Sequence, residues 1–272
     1  MQSILTLLIV LAIVVILAIL DMQRLAIRRY SLKGKDDIRI LQLSDLHKRS
    51  FGKDNIKLLD TIKRERPDVL LFTGDLVSRD QTDFSALYKL ISTACTMTKV
   101  YYIFGNHELD LDTSVRASIV DTLSSSGAIL LDDSHTRIAE HTTLYGATIP
   151  TKCYHDGNFK YNHLYQYTVQ DLSYTLGSVE ADSYNILLAH NPFFFEAYAE
   201  WGANLTLSGH VHGGIVTLPW IKGLLSPERK FFPKYTGGEY HIGSKTMIVS
   251  RGLGKLRLFT CPEVSVIQIK KS

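Results

Sequence analysis

From Met1 to Leu20 the chain carries no charged side chain, and from Ile4 onward it is almost wholly Leu, Ile, Val and Ala. About 20 helical residues rise roughly 30 Å, the thickness of a bilayer hydrocarbon core, so the stretch predicts a transmembrane helix. No Lys or Arg precedes it, and Ala18-Ile19-Leu20 ends on a bulky residue, which argues against a cleaved signal peptide. Past Lys35 the pattern changes to short apolar runs separated by amphipathic segments. Ile38 to Leu43, Val69 to Thr73 and Val100 to Phe104 read as strands. Asn55 to Arg64 and Phe84 to Met97 read as helices, with Pro67 resetting the chain. This alternation predicts an α/β body. Further strand-like runs at Thr143 to Ala147, Tyr184 to Ala189, Leu205 to Leu207, Met247 to Val249 and Val264 to Ile269 follow with fewer helices between them. They predict a second, more antiparallel sheet. Lys152 to Tyr167 and Gly213 to Gly238 read as irregular. The expected organisation is an anchor at 1–21, a basic juxtamembrane segment at 22–37 and one domain at 38–272.

Composition narrows the picture. With 45% hydrophobic and 21% charged residues the body is globular rather than disordered. A net charge of +3 is too small for a nucleic-acid-reading face, so no nucleic-acid binding is expected. Cys95, Cys153 and Cys261 are odd in number and far apart, which suits neither a disulfide framework nor a zinc site and fits a reducing compartment. Arg24, Arg28, Arg29, Lys33 and Lys35 crowd just after the apolar run. By the positive-inside rule they predict a single-pass membrane protein with its domain on the cytoplasmic face, its basic cluster against anionic headgroups.

The ends of the strands carry the chemistry. The first three run into Ser44-Asp45-Leu46-His47, Gly74-Asp75 and Gly105-Asn106-His107-Glu108. Two later ones end on Ala189-His190 and Ser208-Gly209-His210-Val211-His212. Carboxyl ends of strands line the ligand crevice of an α/β sheet, so these residues are expected at one edge. Imidazole and carboxylate donors together suit borderline divalent ions such as Mn, Fe or Zn, and Asp75 offers a carboxylate to bridge a pair of them.

These ordered motifs resemble those of the calcineurin-like metallophosphoesterase superfamily, over the chain from about Ile38 to its end. The resemblance implies a four-layer αββα sandwich, two mixed sheets flanked by helices, here preceded by one N-terminal transmembrane helix. It implies two divalent metal ions, one held by Asp45, His47 and His212, the other by Asn106, His190 and His210, with Asp75 between them. His107 takes the place of the family's catalytic histidine, and Glu108 is expected to orient its ring. The implied reaction is attack on phosphorus by water activated between two cations. Within the superfamily the chain looks most like bacterial membrane-associated members, phosphodiesterases and UDP-2,3-diacylglucosamine pyrophosphatases among them. The expected substrate is therefore a phosphodiester or diphosphate, lipid- or nucleotide-linked. A phosphomonoesterase or protein phosphatase, or a metal-binding scaffold without turnover, is the alternative. Lys48-Arg49-Ser50 before Phe51-Gly52, and Ser78 after Gly-Asp, depart from the common pattern and bear on substrate class rather than metal ligation.

Other residues bear on substrate. Trp220, Leu224, Leu225, Phe231 and Phe232 suggest a flap for lipid or acyl chain, or a loop packing its own hydrophobes. Lys48, Arg49 and Arg251 are candidates to hold a second phosphate, or are solvated surface charge. His135, His141, His155, His163 and His241 match no motif and are expected to be surface or core histidines.

Overall fold

Strand β2 (Ile38–Leu43) buries every residue except Arg39, and β3 (Val69–Phe72) buries all four. Near-continuous apolar runs of this kind belong to strands covered on both faces. The computed structural model describes residues 24–156, 160, 164–214, 225, 231–254 and 260–272, with 4–6, 9 and 22 ahead of them. The expected anchor at 1–21 falls almost wholly outside these residues. Among the described residues no helix is long and apolar enough to cross a membrane.

The first sheet has the order β1-β12-β2-β3-β4-β5, with β1 (Ala26–Gly34), β4 (Lys99–Tyr102), β5 (Ile129–Leu130) and β12 (Glu263–Lys271). The second has the order β10-β11-β9-β8-β7-β6. Its strands are β6 (Ser134–Ala139), β7 (Thr142–Ala147), β8 (Tyr184–Ala189), β9 (Leu205–Ser208), β10 (Gly238–Ile242) and β11 (Lys245–Val249). Ile40, Leu71, Ile103, Leu188 and Leu207 fill the space between the sheets. The alternate residues Leu41, Leu70 and Tyr102 face helices α1 (Ile56–Glu65), α2 (Ser85–Cys95) and α4 (Thr113–Ser125). Tyr145, Leu187 and Met247 on the far side face α5 (Val169–Leu176) and α6 (Phe195–Trp201). The period of two along each strand thus builds three apolar layers between four structural ones.

Three expectations change. The second sheet is antiparallel only at its edges, β6–β7 and β10–β11, and parallel at β7–β8, β8–β9 and β9–β11. For β7, β8 and β9 the cause is the pair α5 and α6, which return the chain to the starting end between these strands. Thr168 opens α5 with a capping box: the Asp171 amide donates to its hydroxyl at 3.3 Å, and its own amide donates to Asp171 Oδ2 at 2.8 Å. The Val264 to Ile269 run joins the first sheet as β12, antiparallel to β2, rather than the second. The basic segment 22–37 contains β1, paired parallel with β12 along its whole length. Its charges hid an edge strand: Arg29 Nη1 lies 2.8 Å from Glu65 and Arg28 Nε 3.5 Å from Glu263.

Because β2, β3 and β4 are mutually parallel, as are β7, β8 and β9, each sheet sends its ligand-bearing turns to a single edge. The two edges are stitched together. Buried Gln42 donates to Thr73 Oγ1 at 3.1 Å and to the Ser208 carbonyl of the other sheet at 2.9 Å.

Candidate metal centre

Asp45, His47, Asp75, His210 and His212 all have left-handed backbone, with φ of 54°, 52°, 53°, 71° and 55°. Such conformations cost non-glycine residues about 1–3 kcal/mol each and persist only where the surroundings hold them. Here the turns hold one another: the Asp45 amide donates to Gly74 O at 3.0 Å, His47 N to Asp75 O at 3.1 Å, and His210 N to Asp45 Oδ1 at 3.1 Å. Two glycines allow the approach. A Cβ on Gly209 would fall inside the Ser44 hydroxyl, and one on Gly105 inside the Asp75 carboxylate.

The turns bring three groups together: Asp45, His47 and His212; His47, Asp75 and His107; and Asp75, His190 and His210. Within each, the donor atoms lie no more than 4.8 Å apart. Asp75 Oδ2 is the hub. His190 Nε2 lies 3.2 Å from it, His47 Nε2 3.9 Å and His107 Nε2 4.0 Å, while His212 Nε2 lies 3.7 Å from Asp45 Oδ1. Asn106, the first residue of the short helix α3 (Asn106–Leu109) after β4, has a buried Oδ1 with no hydrogen-bond partner among the described residues.

Tautomers follow from the partners. His190 Nδ1 lies 2.6 Å from the Thr73 carbonyl and His47 Nδ1 3.3 Å from the Val77 carbonyl. A carbonyl only accepts, so each neutral ring carries its proton on Nδ1 and turns an Nε2 lone pair toward the carboxylates. A lone pair facing a carboxylate is resolved by a cation, as is the orphaned Asn106 oxygen. Burial disfavours a charged His190, yet the charges of Asp75 and Asp45 raise it to about 10. The field that would draw a proton there draws a metal equally well. Burial opposes charge on Asp75 too, but His190 and His107 hold it well below the usual carboxylate range. The donor set fits divalent cations.

His107 differs. Its Nδ1 accepts the Arg79 amide at 3.2 Å, so the neutral ring carries its proton on Nε2, and its side chain is 24% exposed. Burial, with help from His47 and Arg79 and against Asp75, lowers it to about 4. Glu108 does not do what was expected of it. Its carboxylate accepts the amides of Gly105 at 2.7 Å and of Asp75 and Val77 at 2.9 Å, and so fixes the turns rather than the His107 ring. Burial and the charge of Asp75 push it up to about 7, against the pull of those amides.

Several neighbours were not legible in the motifs. Leu253 donates to Ser44 O at 2.9 Å, and a Cβ on Gly254 would meet His47 Cδ2 at 2.7 Å, so the 252–254 loop lies against the first group. Arg49 Nη1 fastens that loop by donating to Leu253 O and Gly254 O at 3.1 Å. Lys48 pairs with Asp80 at 2.6 Å and Arg251 Nη1 lies 3.5 Å from Glu263, so all three cations proposed for a second phosphate have partners within the protein. His155 is buried, 2.9 Å from Asp110, which also pairs with Arg79 at 3.1 Å. His163, Trp220 and Leu224 lie outside the described residues; Phe231 and Phe232 are exposed. Beside His47 opens a cleft of about 330 Å³ lined by Lys48, Ser50, Asp80 and Gln81 among others.

Residues 38–214 match the family described as calcineurin-like phosphoesterase. The chain is 28% identical to the uncharacterized metallophosphoesterase YkuE of Bacillus subtilis, over 88% of this chain and 81% of that one. It is 28% identical to the phosphodiesterase YaeI of Escherichia coli, over 85% and 82%. To the UDP-2,3-diacylglucosamine pyrophosphatase LpxG of Chlamydia muridarum the identity is 26%, over 85% and 83%.

Proposed function

The chain belongs to the calcineurin-like phosphoesterases, metal-dependent hydrolases of phosphoric esters, and from that premise we propose that it cleaves a phosphodiester or diphosphate bond in a lipid- or nucleotide-linked substrate at the membrane. The observation that carries this reading is the convergence of three histidines on Asp75 Oδ2. Asp45, His47 and His212 would hold one divalent cation and Asn106, His190 and His210 the other, with Asp75 between them. Nitrogen and oxygen donors in this mixture favour Mn, Fe or Zn. Bound there, the cations supply Lewis acidity and lower the pKa of a water.

The chain's own residues do the rest. His107, neutral near pH 7, carries its proton on Nε2 and is partly exposed beside Asp75, where it donates a hydrogen bond to a phosphoryl oxygen. Glu108 holds the turns bearing Asp75 and Asn106 in place. The cleft beside His47 gives room for a second substituent on phosphorus, which a monoester lacks. The names of YaeI and LpxG, a phosphodiesterase and a diphosphate hydrolase, support the same class. The apolar run 1–20 and the basic residues after it support a single-pass anchor with the domain on the cytoplasmic face. A reporter fused after Ser272 tests the sidedness, and an external signal would refute it.

The activity test is hydrolysis of bis-p-nitrophenyl phosphate against p-nitrophenyl phosphate with added Mn²⁺. Diester cleavage that drops by about 10²–10³ in His107→Ala is expected. Preference for the monoester would overturn the diester assignment, and silence on both would point to a scaffold.

A further inference from the structure

His107 turns Nδ1 toward the Arg79 amide, 3.2 Å away, and so keeps its proton on Nε2. A backbone amide only donates, so its position decides which ring nitrogen stays bare. The turn leading to that amide is pinned: Val77 N donates to Glu108 at 2.9 Å and Ser78 N to Gln81 Oε1 at 3.1 Å. Arg79 is fastened by its side chain as well, for Nη2 lies 3.1 Å from Asp110 Oδ2. Asp110 stands at the end of α3, the helix that carries His107, and its own amide closes that helix by donating to Asn106 O at 3.0 Å. Arg79 thus meets α3 twice, by its amide at His107 and by its guanidinium at Asp110.

The other oxygen of Asp110 is engaged from the second sheet. His155, in the loop after β7, sets Nε2 2.9 Å from Asp110 Oδ1, and the two side chains are 6% and 7% exposed. Burying a carboxylate among charged partners adds little stability over apolar packing, so stability alone does not account for it. We propose that Asp110 is a positioning residue for His107. It clamps Arg79 to α3, which holds the Arg79 amide on Nδ1 and leaves Nε2–H for the phosphoryl oxygen. Only that last hydrogen bond rests on the proposed function. A second route from Asp110 to the site runs through His155 to its neighbour Tyr154, whose ring lies edge-on to His210 with centroids 5.0 Å apart. That route ends on a metal ligand, and so has a different signature.

The main variant is Asp110→Asn. Its amide oxygen still accepts from His155, while its NH₂ faces the Arg79 guanidinium, donor against donor. Ring nitrogens are read by nuclear magnetic resonance on the full-length chain with isotope-labelled histidine and added Zn²⁺. The His107 signal is identified by its loss in His107→Ala. Wild-type His107 should carry its proton on Nε2 alone, and Asp110→Asn should give a mixture of both neutral tautomers. In diester hydrolysis kcat should fall about 10–100-fold, with KM and metal content kept. Added to His107→Ala, Asp110→Asn should cost nothing further, because the two act through one hydrogen bond. Arg79→Met, which keeps the amide and drops the guanidinium, should shift the tautomer in the same way, and Arg79→Lys should restore it. An unchanged tautomer in Asp110→Asn, or losses that multiply in the double variant, would overturn the proposal. So would a fall in metal content at unchanged tautomer, which assigns Asp110 to the His210 side. The tautomer is read without substrate, so a chain that cleaves no diester removes the phosphodiesterase reading while the ring signal still decides the role of Asp110.

Discussion

Glu108 accepts the backbone amide of Asp75 at 2.9 Å, so the carboxylate that follows His107 in the chain holds the turn on which the hub of the metal centre sits. A glutamine there keeps one carbonyl oxygen and sets an NH₂ against amides that can only donate. Glu108→Gln is expected to lose about 1–3 kcal/mol of stability. Metal affinity should fall about 10–100-fold. Calorimetry and metal analysis of the purified variant check both, and an unchanged metal content would show that the turn does not depend on Glu108.

Gly209 leaves no room for a side chain next to Ser44 and Asp45. Gly209→Ala should push Asp45 away from His212 and lower metal affinity by at least about tenfold. Titration with Mn²⁺ measures the effect.

Arg49 separates two accounts of the first motif. If its bonds to Leu253 O and Gly254 O are its function, Arg49→Ala loosens the loop packed on His47 and lowers metal content and kcat together. If it held a second phosphate of the substrate, KM for a diphosphate would rise with metal content unchanged. The first outcome is expected.

Asp36, between β1 and β2, accepts the His141 amide at 2.9 Å and the Thr142 hydroxyl at 2.7 Å, and so ties the two sheets together. Burial raises its pKa, but these two bonds outweigh it and the net shift is downward. A carboxylate depressed on folding adds stability above its unfolded pKa, about 3.9, and that contribution is lost as pH falls through the folded value. Asp36→Ala should therefore melt below wild type at pH 7, with the gap closing below about pH 4. Thermal melts at both pH values decide it; a gap that widens in acid would contradict the sign.

Leu207 lies between the sheets with no exposed surface, three residues before His210. Leu207→Ala should cost about 2–5 kcal/mol through lost burial and the cavity left behind. Denaturant unfolding measures it.

Much of this fold was legible because buried parallel strands announce themselves. β2 and β8 lie at the predicted residues, since their apolar runs end abruptly at polar turns. β1 was hidden because Arg28, Arg29 and Lys33 look like a solvated flank until Glu65 and Glu263 arrive from distant parts of the chain. α5 and α6 were passed over, and with them the parallel character of the second sheet, because their apolar faces are short. At the metal centre, spacing delivered the donors to one edge but said nothing of the five left-handed residues there, whose turns tertiary hydrogen bonds hold together. Nor did it reveal where Glu108 points, since two neighbouring turns claim its oxygens.

The most direct measurement is metal stoichiometry of the purified full-length chain with parallel diester hydrolysis, for wild type and Asp75→Asn. An Asp75-centred pair of sites predicts two divalent ions per chain in wild type, and loss of bound metal and activity together in the variant. A single ion per wild-type chain, or an Asp75→Asn protein that keeps both ions and full activity, would contradict it.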